Sequence, residues 1–218
     1  MPRPVALFDF DGTLADSFGW FAQTLRELAP RYRLSALDEA QIAALRGLEA
    51  RAILRRLGIS WWKLPLLTRD MRTRMRNDIA RIAMFPGIPE ALAQLAAEGW
   101  RLGIVSSNSE ANIRAVLGPS MAHVELCECG AAIFGKPAKL KKALARLGAA
   151  PAEACYIGDE IRDAEAAGAL GMRFVGVAWG YTTPAALQRA SAETLCDSTH
   201  FLPGILRMHA NRGAFGGD

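Results

Sequence analysis

The stretch VALFDFDGTLADS, residues 5–17, decides how the rest of the chain is read. An apolar run, Val5 to Phe8, ends in two carboxylates one residue apart, Asp9 and Asp11, with Gly12 and Thr13 directly behind them. Like charges at the end of a buried strand repel unless something neutralises them. Similar apolar runs recur at 102–107 (LGIVSS), 154–158 (ACYIG) and 173–178 (RFVGVA), with a weaker one at 123–127 (HVELC) and a short one at 131–134 (AAIF). Helical patterns lie between them at 88–98, 109–117, 138–147 and 161–170. Strands that are apolar throughout and alternate with helices predict an α/β fold, a parallel sheet covered on both faces.

Residues 18–82 break this rhythm. They carry no strand pattern and read as helices near 18–29, 38–46, 49–57 and 66–82, punctuated by Gly47, Gly58 and Pro65. The expected organisation is therefore a core built from 1–16 and 85–210, a helical insert at 17–84, and a disordered Gly-rich tail at 211–218.

Composition narrows the function classes. Of 218 residues, 51% are hydrophobic and 22% charged, enough for a sizeable core in a globular protein. The net charge of +4 is uneven, because the insert carries the basic excess. Solvated helix faces explain most of that excess; an anion-attracting patch is the sharper alternative. No RNP, zinc-finger or helix-turn-helix signature accompanies it, so no nucleic-acid partner is expected. No apolar run is long enough to span a membrane, and the first strand begins too early to leave room for a signal peptide. Cys127 and Cys129 form an isolated C-x-C, Cys155 reads as a core residue, and the four cysteines make no disulfide framework. These features point to the cytoplasm.

In an open parallel sheet, ligands sit beyond the carboxyl ends of the strands, where the strand order reverses. Asp9 and Asp11 occupy that edge, and so does Asp159 in YIGDEIRD. Three converging carboxylates call for a hard divalent cation with oxygen ligands, and Mg²⁺ is the natural choice. A D-x-D-G motif alone can be only a turn; two carboxylate sites at strand ends make a site the better reading. The run GIVSSN, 103–108, sets hydroxyls at another strand end, where they suit phosphate oxygens or cap the following helix through Ser107, Asn108 or Ser109. In IFGKPAKL, Lys136 is a cation positioned to serve both a phosphate and the acidic edge, whereas Lys139, Lys141 and Lys142 read as solvated.

With these motifs in order, DFDGTLAD, VSSN, FGKP and GDEIRD, the chain resembles the haloacid dehalogenase-like hydrolase superfamily, in its phosphoglycolate phosphatase-like branch. FPGIPEAL and EAAGALGM also look like family signatures, and the resemblance spans residues 4–190. It implies a Rossmann-like core with strand order 5-4-1-2-3 and a helical cap inserted after the first motif.

The resemblance also implies roles. Asp9 would be the nucleophile, forming an aspartyl-phosphate, and Asp11 the general acid and then base. Asp9, the Asp11 backbone carbonyl and Asp159 would hold Mg²⁺. Ser106 and Lys136 would bind the transferring oxygens, with Asp163 orienting Lys136 or a metal-bound water and Glu160 a further outer ligand. Gly12 and Ser107 would add backbone donors, and Asn108 would lie on the substrate side. Arg46, in the cap loop that points at the substrate in relatives, would reach a second anionic group. The presence of Asp11 argues against the dehalogenase branch, which lacks a carboxylate there. A small phosphorylated metabolite is the expected partner of a monomer or homodimer. A β-phosphoglucomutase-like phosphomutase and a non-catalytic binding protein of the same fold are the alternatives.

Overall fold

The computed structural model describes residues 3–35, 37–130, 135–190 and 194–214. The sheet is built from β1 (Val5–Phe8), β2 (Arg101–Val105), β3 (Val124–Glu128), β4 (Ala154–Gly158), β5 (Arg173–Val177) and β6 (Thr194–Cys196). All five strand pairings are parallel, and the spatial order is β3-β2-β1-β4-β5-β6. From β5 to β3 this is the order 5-4-1-2-3, extended at one edge by β6, which sequence patterning does not reveal. Three residues carry too little periodicity to stand out.

Every side chain of β1 is buried, because both faces of the sheet are covered. Ala6 and Phe8 face one cluster, formed with α5 (Ile88–Ala97), α6 (Glu110–Leu117) and α10 (Leu202–Ala214). Val5 and Leu7 face the other, formed with α7 (Lys136–Leu147), α8 (Ile161–Gly168) and α9 (Pro184–Ala190). The period-2 alternation of one strand thus feeds two apolar layers. Helix α10 continues to Ala214, so the expectation of disorder from residue 211 is corrected for 211–214, where the helical backbone simply runs on. Residues 215–218 lie outside the described residues, as does the apolar run 131–134.

Between β1 and α5 run α1 (Phe18–Tyr32), α2 (Glu39–Leu45), α3 (Ala50–Leu57) and α4 (Leu64–Asn77). They bury their apolar faces against one another in a third cluster that includes Leu25, Leu28, Ile42, Leu57 and Leu67. The two chain crossings that join this helical segment to the sheet run side by side. Asp16 N–H donates to Ala83 O at 2.9 Å, and Phe85 N–H donates to Leu14 O at 3.0 Å. Just before them the chain turns tightly: the N–H groups of Thr13, Leu14 and Ala15 all bond Phe10 O. This turn re-aims the chain from the sheet edge into the helical segment while keeping Asp9 and Asp11 at the edge.

Candidate active site

Asp9 leaves β1 with its carboxylate held from both sides. Its Oδ1 accepts the Phe10 N–H at 2.8 Å, and its Oδ2 accepts Lys136 Nζ at 2.7 Å. Lys136, the first residue of α7, is buried and also bonds Asp163 Oδ1 from α8. Burial alone would lower its pKa, but the Asp163 and Asp9 charges raise it above the ordinary lysine value. The lysine is therefore a fixed cation.

Asp159 follows β4 and is fully buried. Its Oδ1 accepts Thr13 Oγ1 at 2.7 Å and its Oδ2 accepts the Tyr181 N–H at 2.7 Å. Glycine is required around it. A Cβ on Gly12, whose φ is +78°, would lie 2.3 Å from Asp159 Oδ2, and one on Gly180 would lie 2.1 Å from Asp159 Cβ. Oxygens of Asp9, Asp159 and Asp163 lie within 4.8 Å of one another. An all-oxygen carboxylate set this tight fits a hard divalent cation. Burial, then the Glu160, Asp163 and Asp9 charges, pushes the Asp159 carboxyl well above the ordinary range. Burial likewise takes Asp163 up to about 6, against the opposing Lys136 charge.

The Asp11 carboxylate lies outside that group, which corrects the expectation of a third metal carboxylate from this residue. Its oxygens accept from Ser17 Oγ at 3.0 Å and Asn108 Nδ2 at 2.9 Å, and the ligand role the resemblance gives Asp11 is that of its backbone carbonyl. Burial raises its pKa to about 6; the Asn108 hydrogen bond opposes this and the Asp9 charge adds to it. Ser17 Oγ in turn bonds Tyr181 OH at 2.9 Å.

Ser106, at the end of β2, is buried; its Oγ accepts the Asn108 N–H at 3.0 Å. Asn108 ties Asp11 to α4 through Met75 Sδ, and Ser107 lines the cavity next to it. Ser109, not Ser107, caps α6 through the Asn112 N–H. Glu160 pairs with Arg162 at 2.7 Å and gives its backbone N–H to Asp163 Oδ2 at 3.0 Å.

Three further expectations change. The Gly12 N–H donates to Ala15 O at 3.0 Å, so it is used inside the turn and is not a substrate donor. Arg46 does not present an open fork. Its Nε donates to Tyr181 O at 2.9 Å and its Nη2 to Gly180 O at 2.8 Å, with the guanidinium 4.7 Å from the Phe18 ring centre. It bridges the helical segment to the loop after β5, because a planar cation is well matched to paired carbonyls and an aromatic face. Lys139 is not solvated: its Nζ bonds Ser106 O at 2.7 Å, while Lys142 pairs with Glu128 at 3.0 Å. Ile133 and Phe134 of the IFGKP stretch lie outside the described residues.

Thr13, Ser17, Gly180, Tyr181 and Arg162 are site residues that motif reading missed. The available signal was positional. WGYTTP follows an apolar strand, and the end of every central strand borders the ligand edge. Between this edge and the helical segment lies a cavity of about 250 Å³, which reaches Asp11, Ser107 and Asn108 at one end and the apolar faces of α1–α4 at the other.

A parallel sheet carrying buried acids at its carboxyl edge, an ion-paired lysine and a helical segment inserted after the first strand defines a class of phosphoryl-handling hydrolases. The haloacid dehalogenase-like hydrolase family model matches residues 6–177, and the chain belongs to that family. It is 35% identical over 194 residues to a phosphoglycolate phosphatase of Synechococcus elongatus, covering 88% of this chain and 92% of that one. It is 30% identical to a phosphoglycolate phosphatase of Xylella fastidiosa, over 92% and 91% of the two chains. Among solved structures it is similar to CbbY from Rhodobacter sphaeroides, in complex with phosphate, with a TM-score of 0.72 and 23% identity over 92% and 96% of the chains; that likeness concerns the fold. The chain is an enzyme of the phosphoglycolate phosphatase-like branch, a phosphatase. Among the described residues, no helix is long and apolar enough to cross a membrane.

Proposed function

We propose that this chain is a Mg²⁺-dependent phosphomonoesterase that acts on a small phosphorylated metabolite through an aspartyl-phosphate on Asp9. The observation that carries the reading is the Asp9 carboxylate, pinned by Lys136 and Phe10 N–H beside Asp159 and Asp163. Bound to Asp9, Asp159 and the Asp11 carbonyl, Mg²⁺ would supply the positive charge that screens carboxylate from phosphate.

The chain's own residues do the rest. Lys136 and the Phe10 N–H hold Asp9 in one orientation, so the attacking oxygen is preorganised. Its attack forms an O–P bond as the ester O–P bond breaks. The departing alkoxide takes a proton from Asp11. A carboxyl with a pKa of about 6 holds that proton for part of the time near neutrality and is a competent base once it has lost it. Ionised Asp11 then takes a proton from the water that cleaves the aspartyl-phosphate, which restores Asp9 and releases phosphate. Ser106 and Lys136 stabilise the transferring oxygens, and Asp163 steadies Lys136.

We read α1–α4, within residues 17–84, as a cap that selects the leaving group, with the paired crossings at Asp16–Ala83 and Leu14–Phe85 as its hinge. Phosphoglycolate, named in the relatives, is one candidate substrate. Four free cysteines support a reducing compartment, the cytoplasm.

The test is release of inorganic phosphate from p-nitrophenyl phosphate and a panel of phosphorylated metabolites. Asp9→Asn should stay folded by circular dichroism and lose turnover on all of them. Steady hydrolysis by a clean Asp9→Asn sample contradicts the covalent route, and isomerisation of a sugar phosphate without phosphate release contradicts the phosphatase reading.

A further inference from the structure

The cavity above the acid cluster has a polar end and an apolar end, and the two are continuous. At the polar end stand Asp11, Ser107 and Asn108. Much of the remaining wall is the interior of the helical segment, including Phe18, Phe21, Leu25, Ile42, Leu57 and Leu67, with Arg46, Arg72, Glu160, Arg162 and Tyr181 also lining the cavity. The aromatic rings stand at the junction: Phe18 and Phe21 lie 5.2 and 5.3 Å from the Tyr181 ring, and Tyr181 reaches Asp11 through Ser17.

Some side chains of the helical segment are less completely buried than the innermost residues of the sheet core. Leu7, Leu14 and Leu95 are 0% exposed, whereas Ala22, Ile42, Leu45 and Ile59 each keep 8%. All four line the cavity. Well-packed interiors leave few voids larger than a water molecule. Here the apolar side of the segment lines most of a cavity of roughly 250 Å³ that extends to the reacting edge.

Three cations line this wall, Arg46, Arg72 and Arg162. Arg46 is committed to the carbonyls of Gly180 and Tyr181, and Arg162 to Glu160. At Arg46 and Arg162 a carboxylate on the substrate would have to displace these contacts, while an alkyl or aryl group would displace nothing.

We infer that the physiological substrate is a phosphomonoester whose alcohol carries a sizeable apolar group, seated in the cavity between α1, α2, α3 and α4. This rests on the phosphatase reading for the position of the phosphoryl group and narrows it to a substrate class.

The experiment uses the wild-type protein with Mg²⁺ and two homologous series. Ethyl-, butyl- and hexylphosphonate, which lack the scissile O–P ester, are titrated calorimetrically. The corresponding alkyl phosphates, with phosphoglycolate beside them, are assayed for phosphate release. A methylene moved from water into an apolar site is worth about fourfold in binding, so affinity and kcat/KM should rise roughly tenfold or more from ethyl to hexyl. Ile53→Trp, which fills the cavity from the half-buried face of α3, should flatten both series. If that variant does not fold, the wild-type series decides alone. A flat or falling series, or phosphoglycolate turned over better than hexyl phosphate, overturns the inference and leaves the phosphatase reading standing. Tightening phosphonate affinity with no phosphate released from any ester overturns the phosphatase reading and supports the apolar cavity.

Discussion

Asp11 offers a prediction in which stability and activity move in opposite directions. In the metal-free protein its pKa rises from the ordinary 3.8 to about 6, chiefly through burial. A tenfold change in proton affinity is worth about 1.36 kcal/mol, so ionised Asp11 costs the folded state about 3 kcal/mol at pH 7. Because the folded pKa is the higher one, the native state binds more protons than the unfolded chain between about pH 4 and 6. Its contribution to stability is complete below about pH 4 and is lost as pH rises through about 6.

Asp11→Asn removes this charge while keeping the shape. The amide oxygen can accept from Asn108 Nδ2, and the amide N–H can donate to Ser17 Oγ, which still reaches Tyr181 OH. Exchanging charged for neutral hydrogen bonds returns about 1 kcal/mol, and the partial exposure of Asp11 trims the cost further, leaving a net gain of about 1–2 kcal/mol. For a chain of this size that is about 2–8 °C in Tm. The assay is calorimetric melting in EDTA at pH 7.5 and pH 4.5. The variant should melt higher at pH 7.5, and the gap should close at pH 4.5, because wild-type Asp11 is then protonated too. Its turnover should fall about 10²–10⁴-fold, as expected for a lost proton donor. A variant no more stable than wild type at pH 7.5, or a gap equal at both pH values, would refute the assignment of a buried, strained charge to Asp11.

Two further outcomes follow from the same geometry. EDTA should abolish phosphate release and Mg²⁺ restore it, with Ca²⁺ a poor substitute because it prefers looser, higher coordination; full activity in EDTA contradicts the oxygen-ligand site formed with Asp159. Arg46→Ala should lower kcat/KM roughly tenfold on p-nitrophenyl phosphate and on larger esters alike, since Arg46 steadies the loop whose Tyr181 N–H holds Asp159; a loss confined to substrates with a second anion would show that it meets the substrate directly.

What the chain displays in advance and what it hides have physical causes. Asp9, Asp159 and Lys136 are legible because each stands where an apolar run stops, and a charged group at a strand or helix end is conspicuous in one dimension. The strand order needs more than periodicity and came with the motif resemblance. Ser17 and Tyr181 are illegible because their bond joins residues 164 apart in sequence, and neither residue type is unusual where it stands. Arg46 illustrates a different limit. Its place in a cap loop is readable, but the direction of a long, flexible side chain depends on which acceptors the fold brings within reach, and here they are the carbonyls of residues 180 and 181. The resemblance makes Gly12 a backbone donor, yet its value lies in having no Cβ against Asp159.

The charge balance explains why metal and substrate should bind together. Asp9, Asp11, Asp159, Glu160 and Asp163 gather around Lys136 and Arg162, so carboxylates outnumber cations in a largely buried site. Burial raises the pKa values of Asp11, Asp159 and Asp163, and the neighbouring carboxylates add to the rise. A phosphate dianion brought to this edge alone would meet the same repulsion that opposes ionisation of these acids. A divalent cation displaces their protons and reverses the local field, so its affinity should fall with pH below about 6, where Asp163 regains its proton. Phosphonate affinity should then depend on Mg²⁺ and decline over the same pH range. Because coupling between two ligands is reciprocal, phosphonate should tighten Mg²⁺ by the factor that Mg²⁺ tightens phosphonate. Equal phosphonate affinity in EDTA and in Mg²⁺ would mean that Lys136, which pairs with Asp9 and Asp163, compensates the acids without a divalent cation.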